Sequence, residues 1–498
     1  PEEVKTLWNR WLKAEHGTTD RLRSLWGAVA VQGELGSLAF PPPDSGRWDD
    51  AAAVDRSRFL VWLMRRWNEA HVAAVRQHDR EHPITSEYYQ FPFGGMDLVL
   101  SIDGQDVSNI GYFDRPGADL EGLPLKIRWN DLRLRGKGVS LGEYGVKTHP
   151  AWHVANGGEG YHILRTEEEQ KQLFMAVAHY ALGLGACKVQ NWCLRDDPTW
   201  VFPWGIFYPN QLVPKDVAFV HRSQSVLWRF FRPQFRPERL AVCIANHLRL
   251  GNDDGLGARV AYQAFGDLLA LHYPFNVIDD DHLDRLVPQI KTIVLPCPLA
   301  MSDQSFAKLV AWVKGGGTLL TSGDMTRDPF RQRTRTDRLK QLAGVEFVSA
   351  VGSPGSRSAA AEVQAAFPGL GLAAMPLRPC IRVKPLGAEV LGKTADGEPV
   401  LTRHTLGSGT VFFLTDPIEM ANEPPAVDAR RRLYGAMLRE TSAKSSDGPA
   451  RLAAAPDEPW LHVMAQPTAR GMVHVLYNTK TEPGKATVQL ATAAGPVV

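Results

Sequence analysis

The sequence predicts an α/β fold: two successive α/β units followed by the start of an antiparallel β region. Three observations carry this. Strand-like runs alternate with amphipathic helical stretches up to Trp192, the pattern of parallel βα units. After a Pro- and Arg-rich break from Trp228 to Glu238, the alternation resumes as a doubly wound, flavodoxin-like pattern. From residue 458 onward it becomes apolar/polar alternation, as in His462-Val463-Met464 and Val473-His474-Val475-Leu476-Tyr477.

Residues 1–30 read as helices, with Leu7, Trp8, Trp11 and Leu12 on one stripe. Gly17-Thr18-Thr19 stops the first helix and caps the next. Residues 40–57, with Pro41-Pro42-Pro43, read as loop, and a long amphipathic helix is expected from Ser57 to Asp79 with Phe59, Leu60, Leu63 and Trp67 inward. Strands are expected at Ile84–Tyr89, Ser108–Asp114, Val139–Glu143 and Cys187–Trp192. A capping box at Thr166-Glu167-Glu168-Glu169 opens a helix running to Leu184.

In the second unit the expected order is strand Leu240–Ala245, helix Gly257–Leu271, strands Phe275–Asp279 and Lys291–Pro296, helix Asp303–Lys314 and strand Thr318–Ser322. A loop at 351–361, closing strands within 399–415 and a linker at Ser442–Pro449 complete it.

A chain of 498 residues, 44% of them hydrophobic, can bury two or three cores. Charge is nearly balanced, 56 Lys+Arg against 54 Asp+Glu, with no long basic run, which argues against nucleic acid or an anionic membrane as partner. No apolar run approaches the roughly 18 residues of a membrane span. The five cysteines are scattered without CxxC spacing, and His247, His272 and His282 show no paired spacing, so no structural zinc, other metal or cofactor is expected. Fourteen tryptophans lean towards carbohydrate, whose C–H-rich faces stack on indole. The sequence opens at Pro1 without a signal-peptide pattern, and the compartment is left undetermined.

Glu143 is the residue of most chemical interest. The apolar run Val139-Ser140-Leu141-Gly142-Glu143-Tyr144-Gly145 reads as a buried strand finishing in an acid between two glycines. A carboxylate there is costly unless exposed or paired. In a parallel α/β barrel the C-terminal strand ends form the active-site face. The competing reading is an ordinary glutamate following a strand.

The layout resembles glycoside hydrolase family 42, β-galactosidases with a (β/α)8 barrel, a trimerisation domain and a small β-domain. The resemblance rests on Trp11-Leu12-Lys13-Ala14-Glu15-His16-Gly17 followed by Leu22-Arg23-Ser24-Leu25-Trp26-Gly27, and on Glu143 with Trp152 beyond it. Val294-Leu295-Pro296 and Trp312-Val313-Lys314-Gly315-Gly316-Gly317-Thr318 add the trimerisation domain, similar in fold to class I amidotransferases. The resemblance implies that residues 1–230 are strands 5–8 of the barrel, 238–441 the trimerisation domain and 450–498 an incomplete β-domain. It also implies that the acid/base Glu and the first barrel half lie upstream of Pro1 or in a partner polypeptide. Half a barrel has open edges and is not expected to be stable alone.

The implied activity is retaining β-glycoside hydrolysis. Two carboxyls about 5–5.5 Å apart act as nucleophile and acid/base, and Glu143 is the nucleophile. Tyr112 is a candidate hydroxyl partner, Trp152 and Trp192 a sugar platform, and Arg195, Asp196 and Asp197 either ligands of sugar hydroxyls or solvated loop charges. Glu87, and more weakly Asp114, are rival acid/base candidates. The family's Glu-x-x-His pair after strand 8 has no counterpart in Trp200-Val201-Phe202-Pro203-Trp204-Gly205-Ile206. Trp204 at that place implies stacking and a broad preference among β-glycosides. Cys297 lies where an amidotransferase nucleophile would be, but its flanking prolines and the lack of a His–Glu pair favour a small buried residue. The expected partners are a β-linked glycoside and further copies of the chain, as a trimer. The alternative is a non-catalytic carbohydrate-binding or scaffold protein derived from such an enzyme.

Overall fold

The computed structural model describes residues 2–41, 48–86, 97–113, 122–148, 165–197, 203–209, 213–251, 254–352, 355–444, 459–480 and 484–485. Helices α1 (Glu2–His16) and α2 (Thr19–Trp26) meet at Thr18, whose side chain accepts from the Arg21 backbone N–H as N-cap. Trp8, Trp11 and Leu12 are buried, and Trp8 stacks on both Trp11 and Trp26.

Helix α3 (Ala51–Arg76) begins six residues earlier than expected, because Asp50 caps it by accepting from the Ala52 and Ala53 backbone N–H groups. Its inward face is also rotated from the expected one. Trp67 is 53% exposed, while the neighbouring Asn68 is buried and donates to the Ser101 carbonyl. A short helix α4 (Leu98–Ser101) follows.

Strands β1 (Val107–Phe113), β2 (Gly138–Gly145) and β3 (Val189–Asn191) form a parallel sheet in that order, with α5 (Gly122–Trp129) between β1 and β2 and α6 (Glu167–Gly183) between β2 and β3. The capping box at Thr166 and Glu169 opens α6. The expected strand at Ile84–Tyr89 is not a regular ladder over Ile84–Ser86. That segment lies along β1 through irregular bonds, including Asp106 N–H to the Ile84 carbonyl and Asn109 Nδ2 to the Ser86 carbonyl. Residues 87–89 are outside the described residues. Helix α7 (Asp216–Phe231) runs into the expected linker, which shortens to the residues after Arg232.

The second sheet has nine strands. Strands β4 (Leu240–Ile244), β5 (Asn276–Asp279), β6 (Thr292–Leu295), β7 (Thr318–Ser322) and β14 (Gly409–Leu414) are parallel, in spatial order β5-β4-β6-β7-β14. This is the 2-1-3-4-5 order of a doubly wound sheet. Helices α8 (Asp254–Ala270), α9 (Asp303–Lys314) and α10 (Asp337–Ala343) are interleaved with its strands. Beyond β14 the sheet continues as an antiparallel extension, of which only the part within 399–415 is expected from the sequence. It comprises β13 (Pro399–Leu406), β12 (Glu389–Thr394), β9 (Val363–Phe367) and β10 (Leu372–Leu377), while β8 (Val345–Ala350) pairs with β11 (Ile381–Pro385). Helix α11 (Pro424–Lys444) carries through Ser442, where a linker was expected.

Strands β15 (Leu461–Thr468) and β16 (Gly471–Asn478) form an antiparallel hairpin that packs on α6, where Tyr180 stacks on Tyr477 at 4.2 Å. A continuous apolar cluster joins β1, β2, α5 and α6 to α8 and one face of the nine-stranded sheet. Arg249, 1% exposed, ties the two parts by pairing with Asp97 at 3.2 Å and lying 3.7 Å from the Trp129 ring centroid. Among the described residues no helix is long and apolar enough to cross a membrane.

Candidate active site

Val139, Leu141, Tyr144 and Val146 of the β2 region face α5 and α6 in the apolar cluster. Side chains alternate along a strand, so position 143 would join them on that face if the pleat were regular. It is not regular. The register with β1 runs Ile110 to Leu141, then Gly111 to Glu143, leaving Gly142 as an extra residue. This bulge moves Glu143 to the face opposite the helices, two residues before the strand's C-terminal end. There it is half-buried, consistent with a carboxylate kept off the apolar core.

Asn109 shares that face, and its Oδ1 accepts from Ser140 Oγ at 2.7 Å. A Cβ on Gly142 would stand 1.8 Å from the same Oδ1, so only glycine fits beneath the Asn109 carboxamide. The sequence singled out Glu143 but offered no signal for the bulge or for Asn109.

The remaining candidates divide. Tyr112 is 2% exposed and sits on the helix-facing side, stacked against Tyr144 at 6.3 Å with the Lys126 ammonium 5.1 Å from its ring. The structure therefore places it behind Glu143's strand rather than on Glu143's face. Trp192 follows β3 and is 42% exposed, with its backbone N–H donating to the Tyr144 carbonyl at 2.6 Å. Trp204 is 3% exposed, so its indole face is not open for stacking as expected. Trp152, Glu87 and Asp114 lie outside the described residues.

Asp196 is no solvated loop charge. Buried, it pairs with Lys215 at 2.8 Å and accepts from the Gly205 backbone N–H at 2.8 Å, while Lys215 also donates to Thr148 Oγ1. These bonds fix the loop after β3 against the end of the β2 segment. Arg195 is exposed and Asp197 half-buried.

A cavity of about 710 Å³ lies elsewhere. Gly138 and Val139 at the start of β2 and Ala186 and Cys187 ahead of β3 line it, together with Arg133, Lys137, Arg229 and Arg232. It is at the opposite strand ends from Glu143, whereas parallel strands gather functional groups at their C-terminal ends.

Cys297 follows β6 with a left-handed φ of 43°. Fully buried, its thiol donates to Glu419 Oε2 at 3.2 Å and lies 3.4 Å from Ser322 Oγ. Burial, and then the Glu419 carboxylate, push the thiol well above its ordinary range. A thiol held protonated beside an acid is a poor nucleophile, which fits the buried-residue reading.

The sequence matches no family model and no curated protein. Solved structures do share its fold. The chain is similar to the cold-adapted β-galactosidase from Rahnella sp. R3 (TM-score 0.73, 16% identity, 95% of this chain and 70% of that one). It is likewise similar to a β-galactosidase from Bacillus circulans sp. alkalophilus (TM-score 0.71, 15% identity, 95% and 70%). A third is Gan42B, a GH42 β-galactosidase from G. stearothermophilus (TM-score 0.71, 17% identity, 93% and 68%). At these identities the likeness establishes the fold: a mixed α/β architecture with mostly parallel central strands, like that of these β-galactosidases.

Proposed function

We propose that the protein is a retaining β-glycoside hydrolase working by double displacement, with Glu143 as nucleophile. The observation that carries this is the bulge at Gly142, which holds a half-buried carboxylate off the apolar core at the C-terminal end of a parallel strand. The shared fold with β-galactosidases supports the same reaction class. In this reading Glu143 attacks the anomeric carbon, the leaving oxygen takes a proton from a second carboxyl, and that group then activates water to release the sugar. Trp192 supplies the sugar-stacking surface, with Trp152 as its companion.

Residues 1–230 act as the catalytic part, 238–441 as the assembling part of a homotrimer, and 450–498 as a small β-domain. The substrate is a β-linked glycoside or oligosaccharide, with no strict demand for galactose.

The test measures the stereochemistry of hydrolysis by the protein and its variants. Wild type should hydrolyse activated aryl β-glycosides with retention. Glu143→Gly should abolish this, and azide should restore product of inverted configuration. Activity surviving in Glu143→Gly, or inversion by the wild type, would refute the nucleophile. A protein that binds sugars but cleaves no nitrophenyl β-glycoside would be a carbohydrate-binding scaffold instead.

A further inference from the structure

The Arg- and aromatic-rich run from Trp228 to Phe235 reads from sequence as the start of a linker, and the proposed hydrolysis makes no use of it. In the fold it forms one wall of the cavity of about 710 Å³ at the N-terminal ends of β2 and β3. Four basic side chains line this cavity, Arg133, Lys137, Arg229 and Arg232, and among the described residues no acid does. Two of the four are engaged. Arg133 pairs with Asp131, Nε to Oδ1 at 2.9 Å and Nη2 to Oδ2 at 2.7 Å, and Lys137 Nζ donates to the Gln105 carbonyl. Among the described residues neither the Arg229 nor the Arg232 guanidinium has an ion-pair or hydrogen-bond partner. Arg232 also closes α7 with a left-handed φ of 55°, where glycine or asparagine is usual because a larger side chain crowds the backbone. An arginine kept at such a cap points to a use for its side chain.

Hydrogen bonds hold this wall in place. The Gln234 backbone N–H donates to the Pro467 carbonyl at 2.8 Å, and Gln466 Nε2 donates to the Gln234 carbonyl at 2.8 Å, which pins the segment after α7 to the β15–β16 hairpin. The Arg133 guanidinium lies 5.0 Å from the Phe235 ring centroid and steadies that ring, which stays 41% exposed at the cavity. A helix C-terminus ordinarily disfavours anions, because its last carbonyls carry partial negative charge. Here donors already cover them. The Ala469 backbone N–H reaches the Phe231 and Arg232 carbonyls at 3.1 Å each, and Arg470 Nε reaches the Phe230 carbonyl at 3.0 Å.

We propose that this cavity binds a small organic oxyanion, a carboxylate or phosphate group carried on a flat apolar ring. Arg229 and Arg232, three residues apart at the helix end, take the anion through the planar fork that a guanidinium offers to such groups. The ring lies against Phe235 and the apolar surface of Val139 and Pro233. A volume of about 710 Å³ falls within the roughly 300–1,000 Å³ of small-molecule sites. The site binds and does not hydrolyse: it is at the other end of β2 from Glu143, so an occupant leaves Glu143's face open. The proposal therefore stands apart from the assignment of the nucleophile.

Titration at low salt, followed by calorimetry and by ligand-observed NMR, should show one site per chain for phenyl phosphate and for benzoate. Benzamide, the ring without the charge, and inorganic phosphate, the charge without the ring, should each bind about tenfold more weakly or worse. Arg229→Gln and Arg232→Gly should each weaken phenyl phosphate binding by about tenfold or more. Both arginines are exposed, and glycine suits the left-handed cap, so Arg232→Gly should lose binding without lowering the thermal unfolding midpoint. Phe235→Ala should weaken phenyl phosphate and leave inorganic phosphate unchanged. No binding of either ring-bearing anion up to about 10 mM, past the millimolar range of weak ligands, would overturn the proposal and leave the arginines as solvated surface charges. Binding that both arginine variants retain unchanged would overturn it equally, by placing the anion elsewhere. Inorganic phosphate bound as tightly as phenyl phosphate would overturn the part given to the ring.

Discussion

The Asn109 carboxamide fills the space that a side chain at Gly142 would need: its Oδ1 stands 1.8 Å from where a Cβ would be. The same oxygen accepts the Ser140 hydroxyl, so Asn109 is held and cannot swing aside without loss. Glycine at 142 therefore admits both the carboxamide and the bulge that turns Glu143 away from the core. Gly142→Ala should destabilise the protein by about 1–3 kcal/mol, the usual cost of overpacking. It should also disturb any activity that depends on Glu143. In Asn109→Ala the added methyl should cost less, so the two changes should be non-additive in a double-mutant cycle. A Gly142→Ala protein within about 0.5 kcal/mol of wild type in urea unfolding would show that the carboxamide moves freely.

Trp192 and Trp204 should separate cleanly. Trp192 is 42% exposed beyond β3, and under the proposed function its loss removes a stacking face worth on the order of 1 kcal/mol, as for aromatic pairs. Trp192→Ala should therefore raise KM several-fold with little change in stability. Trp204 is 3% exposed, and its truncation should cost about 3–5 kcal/mol of folding stability. If the stability loss falls on Trp192→Ala and the KM effect on Trp204→Ala, the assignment of platform and core is reversed.

What could be read from the sequence follows a physical division. Helix α9 and strand β7 have the limits expected from their caps and glycines, Ser302 ahead of one and Gly315-Gly316-Gly317 ahead of the other. Local rules decide such ends. The nucleophile candidate could also be picked out, because an acid closing an apolar run is locally anomalous. The bulge, the Asn109 carboxamide and the buried Trp204 could not, since each is set by a neighbouring strand or loop. The start of α3 was missed for a different reason: Asp50 is a good cap, but the proline run ahead of it made the whole stretch read as loop.

Stability should fall on mild acidification because of His462. Burial, then His272 and Arg431, lower this imidazole to about 4, and its Nδ1 meets the Tyr180 hydroxyl at 2.5 Å. The unfolded chain takes up the proton near the ordinary value of about 6.5, the folded chain only near 4. Between these values the unfolded state binds more protons, so stability rises with pH. The contribution is complete above about 6.5 and lost as pH falls towards 4, and amounts to roughly 3 kcal/mol. Melting curves from pH 4.5 to 7 should show this slope and a shallower one for His462→Phe. Equal slopes would mean the imidazole titrates normally in the fold.

The Asp196–Lys215 pair sets the last expectation. Lys215 is 2% exposed and Asp196 also buried, so removing one partner strands the other charge away from water. Breaking such a pair costs about 3–5 kcal/mol, whereas replacing both partners by neutral groups of similar size can cost far less. Lys215→Met should therefore be markedly destabilising, and Lys215→Met with Asp196→Asn milder than the single change. Because Asp196 also accepts from the Gly205 backbone N–H, asparagine keeps that bond through its carbonyl oxygen. The loop after β3 should then stay in place beside Trp192, and urea unfolding of the wild type and the two variants measures the ordering. A double variant less stable than Lys215→Met alone would show that Asp196 holds this loop through its charge and not through the Gly205 bond.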